Sequence, residues 1–108
     1  MQVIPQLNYR FDSAQRLATH ISQLDSQLVL WCTLRQQVTE QVHVCITLPD
    51  GLSPFNGQLS VGATLVGQNK QHFIGLLINE QQALFRLRCL ALIQPHRQLC
   101  GTILRTLF

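Results

Sequence analysis

The sequence predicts a mainly β domain: a small antiparallel β-barrel with a helical segment near the N-terminus and a helix at the C-terminus. Three observations carry this. Val42, Val44, Ile46 and Leu48 alternate with His43, Cys45 and Thr47, the period of a strand with one buried face. Two further apolar runs, 57–66 and 72–78, are joined by the polar segment "GQNKQ", which has the length and composition of a hairpin loop. Toward each end of the chain the apolar spacing becomes helical instead. With 108 residues, the chain is expected to be one domain, 1–108, large enough to bury a core without staples.

The elements follow in order. Residues 11–24, "FDSAQRLATHISQL", place Leu17, Ile21 and Leu24 at i, i+4 and i+7, with Asp12 or Ser13 available to cap the start of a helix. The apolar "QLVLWCT" after it is a strand candidate. The strand at 42–48 stops at "PDG", where Pro fixes φ and Gly accepts positive φ. Gly62 and Gly75 lie inside the next two strands and suggest bulges or tight bends. The segment "NEQQALFRLRCLALI" fits a helix with Ala83, Leu84, Leu87 and Leu90 on one face. It also fits a strand with Phe85, Leu87, Cys89 and Ala91 on one face. Its length and good helix formers favour the helix, which Pro95 ends. The tail "HRQLCGTILRTLF" reads as a second short helix weakened at Gly101.

Composition narrows the function classes. Charged residues make up 12%, about half the usual ~25%. Polarity comes instead from fifteen glutamines, which solvate a surface without repelling a partner. The net charge of +3 rests on seven scattered Arg and one Lys. There is no basic run to track phosphates, so nucleic acid is not favoured. The start "MQVIPQLNYR" has no basic stretch followed by an apolar core, and the longest apolar run is interrupted by Arg86 and Arg88. The expectation is therefore a cytoplasmic protein without membrane insertion. Cys32, Cys45, Cys89 and Cys100 form no CxxC pair and are expected to be reduced and mostly buried.

No chemistry-bearing motif stands out. His43 and Cys45 share a strand face, and His96 and Cys100 stand at i, i+4 on the tail. Together they make a Cys2His2 set, but neither pair has finger spacing, so no metal and no cofactor are expected. Asp12, Asp25, Glu40, Asp50 and Glu80 fall on turns and caps and suggest no paired acid and base. Asp50 reads as a turn residue, and no enzyme is expected. Arg86 and Arg88 are a close basic pair that either meets an acidic partner or forms a solvated face.

The order of these elements resembles a PilZ domain, and more narrowly the short single-domain form from type IV pilus assembly. The resemblance is carried by Asp12, "RLATHISQLDSQLVLWCT", "LRQQVTE" and "QVHVCITLPD". It continues in "FNGQLSVGATLV", "HFIGLLI" and "NEQQALFRLRCLAL". It is a match of pattern and spacing over roughly two-thirds of the chain, and the last fifteen or so residues have no counterpart. PilZ domains hold the dinucleotide c-di-GMP with an RxxxR and a [DN]xSxxG turn. Here Arg10 and Arg16 are six apart rather than four. Against the second motif, His20 stands for Asp or Asn, Ser22 matches, and Asp25 replaces the Gly. A carboxylate at Asp25 repels a phosphodiester, whereas Gly admits close backbone approach. The resemblance thus implies a turn that has lost its ligand. It also implies a non-enzymatic adaptor acting by protein contacts with the pilus assembly ATPase or an EAL-domain signalling protein.

Under that reading, Leu17, His20 and Trp31 form the expected contact surface, and an exposed tail helix would support a homodimer. A rival reading is a small β-barrel of the OB or Sm-like kind that binds nucleic acid or a small ligand, with Trp31, Phe55, Phe73 and Phe85 as a stacking platform. A third is a variant dinucleotide site built from Arg10, Arg16 and Ser22, which would leave most phosphate oxygens unpaired.

Overall fold

The computed structural model describes residues 6–24, 27–34, 40–67, 70 and 72–107. The chain runs β1 (Gln6–Arg10), α1 (Ala14–Thr19), β2 (Ile21–Leu24), β3 (Gln27–Leu34), β4 (Gln41–Thr47), β5 (Phe55–Val66) and β6 (His72–Ile78). It ends in α2 (Ala83–Ile93) and α3 (Ile103–Leu107). The fold is mainly β. Six strands form one sheet in the order β1-β4-β5-β6-β3-β2.

Two features of this sheet depart from an antiparallel barrel. β1 pairs with β4 in parallel, from Gln6 opposite His43 to Arg10 opposite Thr47, so the sheet is mixed. It is also open: among the described residues β1 and β2 are its two edges. The cause is topological. α1, β2 and β3 lie between β1 and β4 in the chain, and a connection of that length allows the parallel return that a tight hairpin forbids.

Local chemistry explains most boundaries. Ser13 caps α1 by accepting from the Arg16 amide at 3.1 Å. The helix is shorter than residues 11–24. After Thr19 the chain turns to strand, where Ile21 pairs with Leu30, so Leu17 and Ile21 are both buried but come from different elements. β4 buries Val42, Val44 and Ile46 on one face, as their alternation requires. The turn after it has Gly51 at φ +73°. The β5–β6 pairing from Ser60 to Val66 makes the expected hairpin, with a register shift between Val61 and Ala63 around Gly62.

Gly75 makes no bulge. It sits in continuous register opposite Trp31 of β3, and opposite Ala63 of β5 directly beside the shift at Gly62. A side chain there would meet Val29 Cγ1 at 2.8 Å and Trp31 Cζ3 at 3.0 Å. Gly75 is small because the Trp31 ring lies across it.

The tail is helical from Ala83 to Ile93, opened by a capping box between Asn79 and Gln82. Its inward face is not the expected one. Phe85, Cys89 and Ile93 are buried, while Ala83, Leu84 and Leu87 are exposed and Leu90 is half-buried. Phe85 wins the inward position by stacking on Phe55, with ring centroids 4.3 Å apart and planes at 11°. From Gln94 to Leu99 the chain forms a 3-10 segment that contains Pro95 and is kinked at His96, and Gly101 at φ +73° leads it into α3.

The sheet carries apolar clusters on both faces. The larger packs Leu28, Leu30, Cys32, Val42, Val44, Ile46, Ile74, Leu76 and Ile78 against Leu17 and Ala18 of α1 and Phe85, Cys89 and Ile93 of α2. The smaller is Val29, Trp31 and Phe73, with Leu65, Leu77, Ile103 and Leu104 packed on it. No helix of the described residues is long and apolar enough to cross a membrane.

Candidate functional site

The strand pair β2–β3 and the C-terminal segment place the residues singled out in the sequence. Ser22 is opposite Val29 in the β2–β3 register, and the ladder runs on to the Trp31 amide, which donates to the His20 carbonyl at 2.7 Å. This pairing holds the Trp31 ring beside Ser22. The indole Nε1 donates to Ser22 Oγ at 3.1 Å. From the other side Gly101 closes over the same hydroxyl: a Cβ on Gly101 would lie 2.8 Å from Ser22 Oγ. The Gly101 amide donates to the Ala18 carbonyl at 3.3 Å and pins the segment there. A glycine meets both demands at once, the positive φ and the close approach.

His20 is buried, 7% exposed. Its Nδ1 lies 2.9 Å from the Arg16 carbonyl and 3.0 Å from Thr19 Oγ1, and its Nε2 lies 3.5 Å from the Tyr9 hydroxyl. A carbonyl only accepts, so Nδ1 carries the hydrogen and Nε2 is left to accept from Tyr9. Phe11 and Tyr9 meet the ring edge-on, with centroids 5.4 Å and 6.1 Å away. Burial pushes the His20 pKa down, against the hydrogen bond to the Arg16 carbonyl, which raises it, and the nearby Arg16 charge lowers it further. Burial likewise raises the Tyr9 pKa. His20 is a neutral, fully used core histidine.

The expected contact surface of Leu17, His20 and Trp31 is therefore corrected. Leu17 is fully buried and Trp31 is 4% exposed. Leu17 belongs to the larger cluster under the helices and Trp31 to the smaller one on the opposite face. In this conformation they offer no common outer surface. The aromatic platform is corrected on the same ground: Trp31, Phe73 and Phe85 are buried, and Phe55 is stacked on Phe85.

Arg10 and Arg16 do come together, on Asp12. Arg10 Nε is 3.4 Å from Asp12 Oδ1 and Arg16 Nη1 is 3.7 Å from Asp12 Oδ2, with all three side chains about half exposed or more. Such pairs contribute little to stability, yet the carboxylate already meets both guanidinium groups. Asp25 lies outside the described residues.

Asp50 is a turn residue with a second task. Its Oδ1 accepts from the Leu52 amide at 3.1 Å. Arg88 grips it with two bonds, Nε to Oδ2 at 2.8 Å and Nη2 to Oδ1 at 2.9 Å. The hydrogen bonds from Arg88 hold the carboxyl down at about 2. Arg88 therefore ties the β4–β5 turn to α2, whereas Arg86 lines a shallow cleft with Gln27, Asn79 and Glu80.

Cys32 and Cys89 are buried, and burial pushes both thiols up to about 12, so they stay protonated and inert at neutral pH. Cys45 and Cys100 are half-buried. His96 and Cys100 do not share a helix face, because the chain kinks at His96 and Cys100 only ends the 3-10 turn. Among the described residues no three of His, Cys, Asp and Glu come together as a metal site needs.

Sequence reasoning missed Gly101, Ile103 and Leu104 as the cover over this strand pair, and Asp12 as the bridge between the two Arg. No local pattern ties residue 101 to residue 22; only the fold does. No protein-family model matches the chain, and no curated protein matches it either.

Proposed function

We propose that this protein is a non-enzymatic, cytoplasmic binding module of the PilZ kind that does not recognise c-di-GMP and works through protein contacts. The observation that carries the reading is Ser22. It is the one residue that keeps the pattern of the ligand turn, and its hydroxyl already accepts from Trp31 Nε1 beneath Gly101. A phosphate oxygen would have to displace the indole and lift the tail.

Two further observations support it. Arg10 and Arg16 meet Asp12, so a dinucleotide would compete with a carboxylate for both guanidinium groups. His20, where the motif has Asp or Asn, is buried and hydrogen-bonded within the fold. The described strands form an open mixed sheet, so the PilZ-like reading rests on the order of elements and on the residues of the turn, not on closure of a barrel.

The partners implied by the resemblance are the type IV pilus assembly ATPase and an EAL-domain signalling protein. Two experiments test the reading. Calorimetry with c-di-GMP at physiological salt is expected to give no heat at near-millimolar ligand, and micromolar binding would make the protein a second-messenger receptor instead. A pull-down with the two proteins is expected to retain one of them. Retention of neither would remove the pilus assignment.

A further inference from the structure

α2 wears its apolar residues on both sides. Phe85, Cys89 and Ile93 face the core. The exposed residues of the same helix are Ala83, Leu84, Leu87 and Ala91, every one of them apolar. Leu84 is 79% and Leu87 63% exposed. The two charged residues of the helix, Arg86 and Arg88, are half-buried and flank this stripe instead of interrupting it. Leu52, 59% exposed, sits in the turn that Asp50–Arg88 and Phe55–Phe85 hold against the helix. A surface helix normally turns a polar face outward, whereas the exposed face of α2 is apolar.

The spacing says what covers it. Ala83, Leu87 and Ala91 stand at i, i+4 and i+8, along one ridge of the helix, and the ridge is symmetric about Leu87. We propose that this face is a self-association surface, on which two copies of the chain pair their α2 helices antiparallel about a two-fold axis at Leu87. The axis sets Leu87 against Leu87 and Ala83 against Ala91 of the second copy. The alanines let the helices approach, and the ridges interlock. The ends are complementary in charge. Exposed Glu80 precedes the stripe and exposed Arg97 follows it, so antiparallel pairing turns each toward the opposite charge of its mate. One helix face is smaller than the ~800 Å² per partner of a standard interface, so the dimer is weak, with a Kd on the order of 10⁻⁴ M. The inference stands independently of whether the chain binds c-di-GMP.

Sedimentation equilibrium of the full chain from about 10 μM to about 1 mM spans that range and is expected to show the average mass climbing toward the dimer. The double variant Leu84→Glu with Leu87→Glu is expected to stay monomeric with an unchanged urea midpoint, since both side chains are exposed. The Leu87→Cys variant is expected to form an interchain disulfide on mild oxidation, faster than Arg97→Cys, whose position lies far from the axis. A wild-type monomer at about 1 mM, a dimer that survives the double variant, or equal crosslinking at the two positions would overturn the proposal. A monomer at the top of that range would leave the stripe to a different protein.

Discussion

The two faces of the sheet are closed in different ways. On one, nineteen buried residues from β1, α1, five further strands and α2 form a continuous cluster, most of them 0–2% exposed. On the other, the buried hydrophobic side chains among the described residues are Val29, Trp31 and Phe73, and those that cover them from the C-terminal segment, Ile103 and Leu104, are themselves half-buried. The first face is closed by whole elements, and the second by a short segment that also seals Ser22. Stability therefore rests on the first face. The seal over Ser22 of β2 rests on the second.

Substitutions break this comparison at graded cost. Leu76, fully buried in the larger cluster, should lose about 2–5 kcal/mol on replacement by Ala. Ile103→Ala, in the cover of the smaller cluster, should cost about 1 kcal/mol. Equal shifts in urea midpoint would erase the difference between the faces. Gly75→Ala should cost about 1–3 kcal/mol by overpacking against Val29 and Trp31, and a circular-dichroism melt would show it. Ser22→Ala should cost about 1 kcal/mol, leaving the Trp31 indole without its acceptor. Unchanged fluorescence from Trp31, the sole tryptophan, would count against that bond.

The pH dependence sharpens the picture from the His20 side. The folded pKa lies below 6.5, so as pH falls the unfolded chain takes the proton first. The His20 contribution is whole above about 6.5 and is lost as pH drops through the folded value. Asp50, held at about 2 against 3.8, adds its own loss only below about 3.8. Denaturation midpoints measured between pH 7 and pH 5 should decline, and a flat profile would contradict the burial of a neutral His20. The smallest effect belongs to Asp12→Asn, whose exposed ion pairs should shift stability by well under 1 kcal/mol.

Legibility followed sequence distance. β4 was readable because its alternation is local and its partner face is buried. α2 was readable as a helix. Its inward face was not, because Leu84 and Leu87 are as apolar as Phe85 and Ile93, so polarity could not orient the helix. β1 has no local signature; three elements separate it from its parallel partner, β4. The helical spacing of Leu17, Ile21 and Leu24 merged a short helix with a strand, since Ile21 takes its place from pairing with Leu30. At the candidate site, Ser22 was found by its match to the turn pattern. What occupies it, Trp31 and Gly101, comes from elements that only the fold brings together.

The most direct test of the seal over Ser22 uses the single Trp indole N–H as a reporter. In a proton–nitrogen correlation spectrum, Trp31 Nε1 gives one resolved cross-peak, whose position depends on its bond to Ser22. On titration with c-di-GMP the peak should stay in place, while in Ser22→Ala it should move. A peak that shifts progressively with the dinucleotide and saturates would show that the ligand enters beneath Gly101, and the turn would then be a working site.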